Sequence, residues 1–204
     1  MTSSANQPVW HQPQLSREAL WSAHDFHGMT IWLTGLSGSG KSTIAHELAR
    51  ILTANGKFAY VLDADNLRHG VNSNLGFTDE DRAENVRRMA EVAKLFSDAG
   101  AITIVPIISP FATGRQFARL IHEADDLEFI EVYVATSLDT CEQRDTKGLY
   151  AKVRAGENIG LSGVNAPYEP PVDPEFVLGA HGESVEQCID VLLKDITRRL
   201  NLKR

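Results

Sequence analysis

The most legible chemistry in the chain is the run from Gly35 through Leu36, Ser37, Gly38, Ser39, Gly40, Lys41 and Ser42 to Thr43, which contains the pattern G-x-x-x-x-G-K-[ST]. Glycines at this spacing let the backbone curl around an anion with its N–H groups pointing inward. A helix opening at Ser42 adds its positive dipole end. In such a turn Lys41 reaches the β- and γ-phosphates of ATP, and the Ser42 hydroxyl can ligate Mg²⁺. Lys41 also supplies charge to a phosphoryl group in flight, which makes it a catalytic candidate.

A phosphate-binding turn does not say where the phosphate goes. Switch GTPases and motor ATPases place an acid at the end of an apolar strand, yet Val105, Pro106, Ile107, Ile108 and Ser109 carry none. Carboxylates stand instead at Asp63 and Asp65, at the end of the preceding apolar run. There they would project at the carboxyl edge of a sheet, beside the P-loop, where open α/β folds bind ligands. An acid so placed can order Mg²⁺, the role given to Asp63 with Ser42, or orient an acceptor hydroxyl, the role given to Asp65. Arg68, Arg82, Arg87 and Arg88 follow closely, and Arg82 shares a helix face with Asn85. Guanidinium forks suit phosphate or sulfate; Arg87 and Arg88 read as a charged helix face. Phe77 could stack on a base.

The elements that must position these groups alternate. Met29–Thr34, Phe58–Asp63, Ala101–Ile108, Phe129–Ala135 and Phe176–Leu178 read as strands. Ser42–Asn55 reads as a helix stopped by Gly56. A second helix opens at Thr78, with Asp81 three residues on, and ends at Gly100; a last one opens at Ser184 with Gln187. The pattern implies an α/β fold, a three-layer P-loop NTPase arrangement of a mostly parallel five-stranded sheet flanked by helices. Residues 1–27 read as an N-terminal arm with one short helix over Leu15–Trp21, and 28–204 as the kinase domain. Lys147–Pro174, rich in Gly, Pro and Asn, is too long for an ordinary connector and reads as a lid.

At 204 residues with 43% hydrophobic content the chain can bury a sizeable core, and its net charge of −7 argues against a nucleic-acid scaffold. Two cysteines, Cys141 and Cys188, make no disulfide framework and read as buried thiols. No apolar run reaches membrane-spanning length, and the polar N-terminus lacks a signal core, so no membrane partner is expected and the cytoplasm is the expected compartment.

Several segments together resemble the adenylylsulfate kinase family. They are Leu62 to Gly70, Asn74 to Phe77, Glu80 to Asn85, Ile108 to Phe111, Cys141 to Tyr150, Arg154 to Glu157, Pro167 to Glu169 and, in the arm, Val9 to His11. The resemblance implies transfer of the γ-phosphate of ATP to the 3′-hydroxyl of adenosine 5′-phosphosulfate in sulfate assimilation, with Mg²⁺, by a cytosolic homodimer. It implies that Asp65 lies near the acceptor hydroxyl and that Arg68, Arg82, Asn85 and Ile108 hold the phosphosulfate nucleotide. Phe77 and Leu161 would stand at its adenine, Arg144 near ATP, and Lys147 at the base of the lid. Ser109 matches a serine described in the family as a phosphoserine intermediate. A nucleophilic serine needs a nearby base, and no histidine partner is evident, so a positioning role is favoured. The chain departs from the family where Ala64 replaces a glycine, Phe111-Ala112 replaces Tyr-Arg, and Leu161 replaces an aromatic. Two other readings stay open: a P-loop kinase of another small hydroxyl metabolite or nucleotide, and a catalytically weak nucleotide-binding module.

Overall fold

Five short apolar runs pair into one sheet in the computed structural model, which describes residues 9, 11, 14–24 and 27–202. They are β1 (Met29–Thr34), β2 (Ala59–Val61), β3 (Ile102–Pro106), β4 (Glu128–Val134) and β5 (Phe176–Leu178), in the order β2-β3-β1-β4-β5. Every neighbouring pair is parallel, with Met29 opposite both Ile102 and Glu128. The central strands β1 and β3 are buried at every residue, as strands covered on both faces must be. The edge strands β2 and β5 are three residues each, and β2 stops short of the run Phe58–Asp63 because an edge finds ladder partners on one side only.

Eight helices accompany the sheet among the described residues: α1 (Arg17–His24), α2 (Lys41–Ala54), α3 (Ala64–Leu67), α4 (Asp79–Asp98), α5 (Ala112–Glu123), α6 (Leu138–Arg144), α7 (Leu149–Arg154) and α8 (Val185–Leu202). Alternate residues of β1 face opposite layers. Ile31 and Leu33 pack with Ile44, Leu48 and Leu52 of α2 and with Ile189, Leu192 and Ile196 of α8. Trp32 packs on the other face with Val86, Met89, Ala90 and Ala93 of α4 and Ala118 of α5. This is the three-layer arrangement expected.

The helix ends follow from local chemistry. At α2, Gly56 (φ 72) donates to the Thr53 carbonyl and Lys57 to the Leu52 carbonyl, the paired bonds of a glycine-stopped helix. Gly100 and Ala101 close α4 in the same way on Ser97 and Phe96. The Thr78 hydroxyl accepts from the Asp81 N–H at 3.2 Å, and Ser184 and Gln187 cap one another reciprocally at α8. Four helices were not expected: α3, α5, α6 and α7. The inward face of α5 carries Arg115 and His122, both buried, so a polar residue stands where the 3.6-residue pattern needs an apolar one. Helix α7 lies inside the stretch read as an irregular lid. From the N-terminal arm, Trp21 is buried and its indole N–H donates to the Asp98 carbonyl at 2.9 Å. The helix there runs three residues beyond the expected end, and Trp10 of the arm motif lies outside the described residues.

Candidate active site

The exit of β1 is the origin of the site. A side chain at Gly35, whose φ is 147°, would stand 2.5 Å from the Val134 carbonyl, so the loop can leave the sheet there only as glycine. The loop then winds to α2, whose first residue is Lys41. Lys41 is 8% exposed, and its ammonium donates to the carbonyls of Gly35 (2.9 Å) and Leu36 (2.6 Å) and to the Ser39 hydroxyl (3.4 Å). Burial pushes its pKa down to about 8. The loop carbonyls thus hold the cation in the place a phosphate would take it from.

Asp63, at the end of β2, caps α3, with Oδ1 accepting from the N–H groups of Asp65 (2.9 Å) and Asn66 (3.3 Å). Its second oxygen, Oδ2, accepts from the Ser42 hydroxyl at 3.4 Å. Ala64, where the family resemblance implies glycine, is the first residue of α3, in a helical conformation open to alanine. Asp65 ion-pairs with Lys147 across the mouth of the site, both side chains largely exposed.

The opposite wall comes from α4 and the loop before it. Arg68 donates to the carbonyls of Leu75 (3.1 Å) and Gly76 (3.0 Å), and its guanidinium lies 4.3 Å over the exposed ring of Phe77. Arg82 donates to the carbonyls of Phe77 (2.9 Å) and Gly160 (2.7 Å). Burial, with the charge of Arg68 adding to it, lowers the pKa of Arg82 from the ordinary arginine value. Asn85 is buried and accepts from Asn72 at 3.0 Å. As read from sequence, Arg87 is a charged helix face, pairing with Glu84 and Glu91. Arg88 does more: beyond Glu84 it donates to the Val71 carbonyl and the Asn74 side chain, stapling the loop before α4.

Ile108 and Ser109 leave β3 toward the same space. Ser109 is 1% exposed and has φ 42°, a left-handed conformation uncommon for a residue with a Cβ. Its Oγ accepts from the Trp32 indole at 3.1 Å, and its carbonyl accepts from Arg115 at 2.7 Å. These groups line one cleft of about 450 Å³, which takes in Ser37–Thr43, Asp63, Asp65, Arg68, Phe77, Arg82, Asn85, Ile108, Ser109, Arg144 and Lys147. Both classes of candidate, phosphate-binding and acceptor-binding, therefore share a single space at the carboxyl edge of the sheet.

Three candidates do not line the cleft. Gly35 lies behind it, and the Leu36 side chain turns away into a small apolar cluster. Leu161 packs into that cluster with Cys141 and Tyr150 and is 5% exposed, as a core residue of the 147–174 stretch. Leucine is short enough to bury there, where a ring would need more room. Arg115 and Arg119, the arginines near the position that Ala112 occupies, ion-pair with Glu131 and Glu175 away from the cleft.

Other residues were not expected. Tyr150 donates from its hydroxyl to the Ser37 carbonyl (2.9 Å), and Thr136 to the Ser39 carbonyl (2.9 Å), bracing the P-loop from outside. Gly179, Glu183, Val185 and Cys188 line the far end of the cleft. Nothing in their spacing marks them, since they meet the P-loop only through the sheet order. Both cysteines are free and buried, as read from sequence.

The comparisons agree with this geometry. A sequence profile described as adenylylsulphate kinase matches residues 27–179. An adenylyl-sulfate kinase of Prochlorococcus marinus is 46% identical over 99% of each chain. A probable adenylyl-sulfate kinase of Halalkalibacterium halodurans is 49% identical over 92% of this chain and 93% of that one. Among solved structures, the Mycobacterium tuberculosis APS kinase in complex with AMPPNP and APS superposes with a TM-score of 0.79 at 47% identity, covering 82% of this chain and 96% of that one. A hexameric APS kinase from Thiobacillus denitrificans has a TM-score of 0.65 at 28% identity, with 86% of this chain covering 30% of that one. The chain belongs to the adenylylsulphate kinase family.

Proposed function

We propose that the chain transfers the γ-phosphoryl group of ATP to the 3′-hydroxyl of adenosine 5′-phosphosulfate, giving 3′-phosphoadenosine 5′-phosphosulfate. The observation that carries the reading is the single cleft in which a P-loop with its buried Lys41 faces Arg68, Arg82 and Phe77, two guanidinium groups gathered around one exposed ring. A relative solved with AMPPNP and APS supports the same pair of substrates.

Each residue then has a stated task. The P-loop N–H groups and Lys41 take the β- and γ-phosphates, and Lys41 follows the transferring group, where such charge is worth several kcal/mol of barrier. Arg144, which donates to the Gly38 carbonyl at 3.4 Å, stands at the ATP end. Arg68 and Arg82 hold the phosphosulfate, Phe77 stacks on its adenine, and Asn85 and Ile108 complete its pocket. Asp65 orients the acceptor 3′-hydroxyl, and Lys147 leaves Asp65 for the phosphates as the substrates arrive. Ser109 positions the acceptor.

The donor set beside the P-loop, the Ser42 hydroxyl and the Asp63 carboxylate 3.4 Å apart, offers the hard oxygens that Mg²⁺ prefers while leaving room for phosphate oxygens and water. Ser42 and Asp63 would hold the ion, which when bound neutralises charge on the β- and γ-phosphates. We divide the chain into an arm over residues 1–27 and a kinase domain over 28–204, whose lid over 147–174 excludes water from the γ-phosphate. No described helix is long and apolar enough to cross a membrane. The cytoplasm and a homodimer complete the reading, on the family resemblance; the relative from Thiobacillus denitrificans is hexameric.

The test is a coupled ADP-release assay with Mg²⁺, ATP and a panel of acceptors: adenylylsulfate, AMP and gluconate. Acceleration by adenylylsulfate alone, with a new 3′-phosphate seen by ³¹P NMR and turnover abolished in Lys41→Ala, is expected. Acceleration by another acceptor points to a different kinase, and no acceleration points to a binding module.

A further inference from the structure

Arg115 is buried to 3% exposure, lies outside the cleft, and has all three faces of its guanidinium engaged. One terminal nitrogen donates to the Ser109 carbonyl at 2.7 Å. The other donates to the Glu169 carbonyl at 2.7 Å. Its Nε stands 2.8 Å from Oε1 of Glu131 on β4, close enough for ion pairing though not aligned as a hydrogen bond. One rigid planar cation therefore joins the cleft wall, the far end of the 147–174 stretch and the central sheet.

The surroundings of both carbonyls show that the joint is built. The Glu169 N–H donates to the Pro110 carbonyl (2.8 Å), and the Glu169 carboxylate accepts from the Ala112 N–H (2.7 Å), at the start of α5. The neighbouring Tyr168 shares a hydrogen bond with the Thr34 hydroxyl (3.1 Å), which in turn donates to the Ile108 carbonyl (2.6 Å). Residues 168–169 are thus zipped along 108–112. Ser109, meanwhile, sits at φ 42°, a conformation that persists only where its surroundings over-determine it. Trp32 fixes its hydroxyl and Arg115 fixes its carbonyl.

We propose that Arg115 is a positioning residue that makes the placement of Ser109 and the anchoring of the distal end of the lid a single event. The inference rests on the adenylylsulfate kinase reading given above for its kinetic consequence. When residues 168–169 lift, the guanidinium loses one of its carbonyls and Ser109 loses the rigid partner that holds its backbone angle. Acceptor geometry is then correct only while the lid hinge is seated. Lysine cannot replace this, having one ammonium where two carbonyls diverge from a planar fork.

The experiment uses the full chain and three variants. Arg115→Met alone leaves the buried Glu131 carboxylate with only the more distant Arg119 (3.7 Å) and can fail to fold, so the informative variant is the pair Arg115→Met/Glu131→Gln, compared with Glu131→Gln and with Arg115→Lys. Two quantities are read: kcat with KM for each substrate, and hydrogen–deuterium exchange of residues 168–171. Relative to Glu131→Gln, the double variant should lose on the order of 10- to 100-fold in kcat. KM for ATP should be unchanged, exchange at 168–171 should rise, and Arg115→Lys should fall between. A merely structural arginine would lower the folded fraction, scaling kcat without raising exchange in one segment alone. Equal kcat in the double variant and Glu131→Gln, or unchanged exchange at 168–171, overturns the proposal. If the wild type showed no adenylylsulfate-dependent turnover, the functional reading would fall, while the exchange measurement would still decide whether Arg115 ties Ser109 to the hinge.

Discussion

Ser109→Ala separates a covalent relay from a positioning serine. The Ser109 hydroxyl accepts from the Trp32 indole, and an indole N–H can only donate, so this partner cannot remove the serine proton. Without a base the hydroxyl is a poor nucleophile. Removing Oγ leaves the Trp32 N–H buried and unsatisfied, because Trp32 is fully buried. That orphaned donor costs roughly 1–3 kcal/mol. At about 2–4 °C per kcal/mol for a chain of this size, Tm should fall by roughly 2–12 °C. Alanine keeps the strained φ, whereas Ser109→Gly relaxes it and should recover roughly 1 kcal/mol of the loss. In a double-mutant cycle with Trp32→Phe, the two changes should couple by about 1–2 kcal/mol, since the second removes the orphan that the first creates. Turnover should drop by no more than on the order of 100-fold, the scale of one lost polar contact in the transition state. The assays are thermal and urea unfolding and the coupled kinase assay at saturating substrates. Complete loss of turnover in folded Ser109→Ala, together with a phosphoserine trapped on the wild type, would refute the reasoning.

Two further outcomes follow from the packing. Leu161→Ala should loosen the cluster of Cys141, Tyr150 and Leu36, so limited proteolysis within 155–166 should accelerate about tenfold or more; equal cleavage rates would show that Leu161 does not peg the 147–174 stretch. His122 is held neutral, its Nδ1–H donating to the Ala118 carbonyl (2.7 Å) and its Nε2 accepting from the Thr30 hydroxyl (2.8 Å), and burial pushes its pKa down to about 4. A base with its folded pKa below the unfolded value near 6.5 destabilises the fold as pH drops, so about 3 kcal/mol should be lost between pH 6.5 and 4; urea midpoints across that range in wild type and His122→Gln check this, and parallel curves would contradict it.

What the sequence determined by itself is what a few consecutive residues can enforce. The P-loop, the glycine stops at Gly56 and Gly100 and the caps at Thr78 and Ser184 all act over less than two helical turns, so their spacing fixes their geometry. The continuous apolarity of Ala101–Ile108 likewise marks a strand covered on both faces. The acidic pair Asp63 and Asp65 lines the cleft because a strand's carboxyl end in an α/β fold has one destination. Three things waited for the tertiary structure. Helix α5 hid behind Arg115 and His122, whose burial is tolerated because Glu131, the Glu169 carbonyl and Thr30 arrive from distant parts of the chain to join the nearby Ser109 carbonyl. The packing of Leu161 on Leu36 and Tyr150 could not be read from spacing, because an apolar side chain goes to whichever surface excludes water. The joining of Glu169 to the cleft wall is set by partners more than fifty positions apart, a distance over which only the fold, and no local spacing, decides what a guanidinium can reach.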